Sequence, residues 1–223
     1  PGTNVRAPQY SSEGLRSAVE DAERLGLKVA AHCHAAKGVV NCVKAGVHNL
    51  IHCSWLAEDP EKMYDYDTDT ADEMAEKGIY IDPTLALSHL NRMRGRIPIP
   101  GSVPTSDPAR RFEILRDMWD RGVKFVTGMD SGMTNANFDD FAYIPQVMVE
   151  KMGISPIEAI ICSTRTSAEC LGMENEIGTL SENKSADVLI IDGDPSADIK
   201  LLHSVDTIVS QGNVVKKEGI LLT

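Results

Sequence analysis

The chain has 223 residues, 42% of them hydrophobic, with a formal net charge of -11 and a pI near 5.0. That length suggests one or two domains with enough apolar residues for a real core. The acidic balance excludes a phosphate-reading nucleic-acid module, which needs a basic footprint. No apolar run approaches the ~20 residues of a membrane span and no signal-peptide pattern opens the chain, so a cytoplasmic location is expected.

Residues 1–11 are polar and turn-like. Leu15, Ala18, Val19, Ala22 and Leu25 recur at helical spacing until Gly26. A strand from Leu27 then runs into His32. Val39, Val40 and Val43 mark a short helix ended by Gly46, and a strand from Val47 runs into His52. Residues 57–69 read as an acidic loop. Thr70 and Glu73 have capping-box spacing for a helix ending at Gly78. A third strand, Ile79 to Leu85, meets Pro83, which cannot donate to a central ladder. An irregular segment is expected from Ala86 to Ser106. Asp107 then caps a helix with Pro108 at its first position, carrying Phe112, Leu115, Met118 and Trp119 on its buried face. After Gly122, a fourth strand from Val123 runs into Asp130. Two helical segments follow, one opened by a Ser155-Pro156-Ile157-Glu158 capping box, and Gly172 closes the pair. Four β/α units in tandem predict a parallel sheet. From residue 177 short strands around Val188–Ile191, Thr207–Val209 and Val214–Val215, with turn dipeptides between them, predict a small β unit.

Three strands therefore end on a metal-ligating residue: His32, His52 and Asp130. Ligands at the carboxyl ends of successive parallel strands converge on one mouth of a β/α barrel. Two imidazoles and a carboxylate form a zinc-type ligand set, although His and Asp also suit manganese, iron or cobalt. Asp130 is assigned both ligation and general acid/base work. His34, two residues after His32 and on the same face if the strand persists, is expected to contact substrate, with metal ligation or a plain loop start as the alternatives; His89, after the third strand, is expected to contact substrate. Arg92, Arg94 and Arg96 are read as an ordinary solvated loop, with a grip on a substrate carboxylate as the alternative. His48 is read as structural and His203 as a surface residue. Cys33, Cys42, Cys53, Cys162 and Cys170 include no CxxC pair and read as reduced, mostly buried thiols; Cys33 and Cys53 would pack into the barrel wall. GxSxG, GxxxxGK[ST] and GxGxxG are all absent, which sets aside the serine-hydrolase, P-loop and dinucleotide readings.

The run Val29-Ala30-Ala31-His32-Cys33-His34, the stretch from Ala45 through Ile51-His52, and Thr127-Gly128-Met129-Asp130-Ser131-Gly132 resemble the amidohydrolase superfamily. The nearest branch is that of imidazolonepropionase-like and Xaa-Pro or Xaa-Arg dipeptidase-type enzymes. Ser155-Pro156 to Gly172, Ile177-Gly178-Thr179-Leu180, Lys184-Ser185-Ala186-Asp187-Val188 and Asp192-Gly193-Asp194-Pro195 are similar to its closing signature, so the resemblance covers nearly the whole chain. It implies a (β/α)8 TIM-type barrel with a composite β-sandwich, one or two divalent ions, most simply zinc, and hydrolysis of a C–N bond in an amide, dipeptide or cyclic amide. By motif position His32 and His52 match the histidines after the fifth and sixth strands, and Asp130 the aspartate after the eighth.

The sequence also departs from that pattern. The first-strand His-x-His pair and the fourth-strand lysine are absent, and Asn183 stands where the family usually has glycine. The chain starts at Pro1 in mid-pattern, in the loop just after that lysine. The expectation is the C-terminal half barrel over residues 1–176, four β/α units, with part of a β-sandwich over 177–223. The partners expected are a small-molecule substrate and either a missing N-terminal half or a second copy, with no nucleic acid and no membrane. Two alternatives stay open: a scaffold that is catalytically incompetent as given, and a deaminase of the same superfamily.

Overall fold

The computed structural model describes residues 4–95, 108–133 and 135–222. Two compact units emerge, Pro1–Thr84 with Ser88–Gly128, and Leu85–Leu87 with Met129–Thr223.

In the first unit β1 (Ala30–Ala35), β2 (Asn49–Leu56), β3 (Tyr80–Asp82) and β4 (Lys124–Phe125) lie side by side in chain order. Every neighbouring pair is parallel. Helices supply the connections: α1 (Ser12–Arg24) precedes β1, and α2 (Ala36–Ala45), α3 (Thr68–Glu76), α4 (Ala86–Met93) and α5 (Pro108–Asp120) follow. This is the β/α repeat that the alternation of apolar runs predicts. Val39, Val43, Leu50, Met74, Ile81 and Met118 are wholly shielded between sheet and helices, each burial contributing roughly 1.5–3 kcal/mol. Ser11 caps α1 by accepting the Gly14 N–H, and Gly46 ends α2 with a left-handed φ of 82°.

Several boundaries differ from the sequence reading. Helix α3 starts at Thr68 behind Asp67, and Thr70 Oγ1 donates to the Asp67 carboxylate rather than capping the helix itself. Ala86–Met93 is a helix, not an irregular segment. Asp107 and Arg96 lie outside the described residues. Strand β3 stops at Asp82, directly before Pro83. Strand β4 is only two residues long, because the Gly128 N–H is spent on Asp82 Oδ1 at 2.9 Å instead of on a ladder. A Cβ at Gly128 would stand 1.8 Å from Asp82 Oδ2, so the approach requires glycine.

The second unit opens with α6 (Tyr143–Met152), α7 (Pro156–Ile161), a π turn over Cys162–Thr166 and α8 (Ser167–Leu171). Ser155 and Glu158 form the expected capping box with Pro156 in the first turn. Strands β5 (Val188–Ile191), β6 (Val205–Ser210), β7 (Asn213–Lys217) and β8 (Ile220–Leu221) pair antiparallel in that order. Asn183 takes a φ of 65°, the left-handed turn for which it stands in place of glycine. The compact units part at Gly128 and Met129. The reason is packing: α6 lies on the 3-10 turn Ile199–His203 of the tail, with His203 Nε2 and Gln146 Oε1 2.7 Å apart. Among the described residues no helix is long and apolar enough to cross a membrane.

The Asp82–Gly128 contact makes a test. Gly128→Ala displaces the Asp82 carboxylate and costs about 2 kcal/mol or more, read as a lowered denaturant midpoint; an unchanged midpoint would show that the contact is dispensable.

Candidate metal centre

Alternation along β1 puts His32 and His34 on one face. Register brings Ala31 opposite Leu50, His32 opposite Ile51 and Cys33 opposite His52. Registered neighbours share a face, so a regular β2 would send the His52 ring to the side of buried Cys33, away from His32. Instead His52 takes a φ of 70°. The His32 and His52 ring centroids are 4.6 Å apart. The His34 and His52 rings stack at 4.5 Å, and His32 stands edge-on to His34 at 4.6 Å. One nitrogen from each ring lies within 4.8 Å of the others. The β1–β2 register shifts between Cys33 and Ala35, beside His34, an irregularity of the kind that re-aims side chains at sites.

Two hydroxyls orient the rings. His34 Nδ1 is 2.9 Å from Ser54 Oγ, and His52 Nδ1 is 2.8 Å from Thr84 Oγ1. Ser54 and Thr84 are buried, and Thr84 has a φ of 45°. The Thr84 N–H donates to Asp82 Oδ1 at 3.1 Å.

Burial, with the neighbouring His52, His32 and Arg111, pushes His34 down to about 3. Burial, with His32 and Arg111, pushes His52 down to about 4. Both imidazoles are therefore neutral at pH 7, the form that binds a metal. The thiols behind them are unsuited to ligation. A hydrogen bond with Cys42 and burial push Cys33 up, burial pushes Cys53 up, and only thiolates bind metal well.

The structure gathers His32 and His52 together with His34, which the sequence offered to substrate or to a metal. Asp130 belongs to the second unit, where it is exposed with a φ of 56°. His89 lies half-buried on α4. Arg92 sits in the last turn of α4 and Arg94 just beyond it, both exposed. His48 packs its ring 5.0 Å from Tyr80, and His203 sits exposed against Tyr143. Sequence reasoning missed Ser54, Thr84 and Arg111. The only signals for the first two were hydroxyls placed one or two residues past a strand's last ordinary position.

A profile of the Amidohydrolase family matches residues 2–215. Ochratoxinase from Aspergillus niger is 26% identical over 225 residues, covering 97% of this chain and 44% of that protein. Its crystal structure superposes with a TM-score of 0.79 at 25% identity, covering 98% of this chain and 48% of that one. A Xaa-Pro dipeptidase crystallised with methionine in its active site superposes at 0.77 and 25% identity, covering 95% and 50%. Imidazolonepropionase from Brevibacillus brevis is 28% identical over 109 residues, 48% of this chain and 26% of that protein. The chain spans about half the length of the full-length relatives it matches.

Depressed imidazole pKa values have a consequence for stability. Below about pH 6.5 the unfolded chain takes up protons that folded His34 and His52 refuse. Stability of the metal-free protein therefore falls as pH drops from about 6.5 toward 4, by at most about 1.4 kcal/mol per pH unit for each histidine. Chemical denaturation across that window should show the slope reduced in His34→Gln and His52→Asn. A slope identical to the parent's in both variants would contradict the assignment.

Proposed function

We propose, from the premise that this chain belongs to the amidohydrolase family, that it is part of a metal-dependent hydrolase acting on C–N bonds of small amides, dipeptides or cyclic amides. One observation carries the reading: three imidazoles from two neighbouring parallel strands present nitrogens within 4.8 Å of one another. The donor set fits a zinc-class ion, since neutral imidazole is a preferred ligand and a three-histidine set leaves a position open. In the tautomer with Nδ1 protonated, Ser54 Oγ and Thr84 Oγ1 accept from His34 and His52, leaving both Nε2 lone pairs for the metal. His32, His34 and His52 are the proposed ligands, with Asp130 as a further one.

A divalent ion held by these residues would supply Lewis acidity and a water acidified to a pKa of roughly 7. Asp130 is assigned the proton transfer. Its carboxylate accepts the proton of the attacking water and returns it to the departing nitrogen. The hydroxyls of Ser54 and Thr84 hold their histidines in one tautomer throughout. His89 is assigned to substrate. The similarity to ochratoxinase and to a Xaa-Pro dipeptidase, the latter by name a peptide-bond hydrolase, supports this class. A cytoplasmic setting completes the proposal, supported by five buried cysteines that are all free thiols.

A second reading has its own support. The family's first-strand histidine pair and bridging lysine are not among these 223 residues, and the chain matches about half of its relatives' length. On that reading catalysis needs an N-terminal half, and the chain as given binds metal without turnover.

Zinc titration separates the outcomes. Zinc at 100-fold above its Kd should stabilise the protein by about 2.7 kcal/mol, raising Tm by about 5–10 °C. His52→Ala should weaken binding at least tenfold, and Asp130→Asn should abolish dipeptide hydrolysis by any active form. Zinc content equal in parent, His32→Ala and His52→Ala would defeat the metal reading.

A further inference from the structure

Arg111 lies on α5 and reaches the middle of β2 and the residue just past the end of β3. Its Nη2 donates to the Pro83 carbonyl at 2.6 Å and to the His52 carbonyl at 3.5 Å. Each of these carbonyls belongs to a peptide that enters a left-handed residue. The Pro83 carbonyl is half of the Pro83–Thr84 peptide, whose orientation sets the φ of 45° at Thr84. The His52 carbonyl is half of the His52–Cys53 peptide, whose orientation sets the φ of 42° at Cys53. Non-glycine residues in this region cost of order 1–3 kcal/mol each and persist only where their surroundings hold them.

The grip on the Pro83–Thr84 peptide is two-sided. Arg111 takes its oxygen, and Asp82 Oδ1 takes its N–H at 3.1 Å. Asp82 is in turn held by the Gly128 N–H at 2.9 Å. The guanidinium itself is carried by an anchored helix: Met118 of α5 accepts the Trp55 Nε1–H at 3.3 Å, tying α5 to β2. Among the described residues, buried Arg111 Nε finds no hydrogen-bond partner. An unpaired donor of this kind costs roughly 1–3 kcal/mol, so the side chain is not placed for its own best hydrogen bonding.

We propose that Arg111 is a positioning residue for the histidine centre: by holding the His52–Cys53 and Pro83–Thr84 peptides together it keeps the His52 ring against Thr84 Oγ1, with Nε2 turned toward His32 and His34. The proposal rests on the metal reading for its consequence, but the ring geometry it explains exists without metal. Lysine cannot replace arginine here in full, because a compact, strongly hydrated ammonium on a flexible stem lacks the rigid guanidinium plane that fixes the directions of the two Nη2–H bonds.

The test compares Arg111→Met and Arg111→Lys with the parent in two measurements. The first is zinc affinity of the 223-residue chain by competition with a chromophoric chelator. Loss of an orienting partner typically costs 10–100-fold, and Arg111→Met should fall in that range with Arg111→Lys recovering part of the loss. The second is the 15N spectrum of the metal-free imidazoles. His52 should show one tautomer in the parent and a mixture in Arg111→Met, while His32 is unchanged, a selectivity that general loosening of the fold would not produce. If Arg111→Met does not fold, Arg111→Lys carries both measurements. If the parent binds no zinc, the metal reading fails and the His52 tautomer alone decides the positioning role. A folded variant with parental zinc affinity, or a single His52 tautomer in Arg111→Met, would overturn the proposal.

Discussion

Register in a parallel sheet works against this site. Neighbouring strands that pair Cys33 with His52 would ordinarily turn His52 to the side of its buried partner thiol, and no zinc-type centre could form. The chain escapes by leaving the extended conformation at the ligand itself. His52, Cys53, Trp55 and Thr84 all have positive φ, between 42° and 70°, and none is a glycine. Backbone strain of that sort is tolerated where packing and hydrogen bonds over-determine it. Here Trp55 is locked among Met118 and Tyr66, and the middle of β2 and the residue just past β3 share one guanidinium. Stability invested in the first unit's core is what holds three imidazoles in mutual contact.

The same burial that costs solvation prepares the chemistry. The His34 and His52 rings, stacked at 4.5 Å and met edge-on by the exposed His32, resist protonation, because burial and neighbouring positive charge both oppose their cationic forms. His34 and His52 are left as neutral imidazoles whose Nδ1 atoms are tied to Ser54 and Thr84. Such a pair competes poorly for protons, and neutral imidazole is the form that binds divalent ions. The neighbouring thiols are deterred from competing by their own burial, so the soft ligands close at hand stay out of the centre.

Much of the architecture was legible in the sequence because it is written in period and punctuation. Apolar runs ending at Gly26, Gly46, Gly78 and Gly122 gave four β/α units, and the parallel order β1-β2-β3-β4 follows from them. The Ser155–Glu158 box and the tail strands were equally plain. Strand lengths were not, since nothing local in Val123–Met129 reveals that the Gly128 amide is claimed by Asp82, 46 residues away. His32 and His52 were found by their position at strand ends. His34's place on the His32 face followed from strand alternation, whereas the parts of Ser54, Thr84 and Arg111 depend on positive φ at non-glycine residues and on long-range hydrogen bonds, neither of which leaves a periodic trace.

X-ray absorption at the zinc edge of the metal-loaded protein addresses the central claim most directly. Imidazole ligation predicts a shell of nitrogen neighbours at about 2.0–2.1 Å, with the outer-ring scattering of at least two histidines, diminished when His52 is replaced by alanine. A shell dominated by sulfur at about 2.3 Å, or one without imidazole scattering, would mean that the ion sits elsewhere and that the three histidines are not its site.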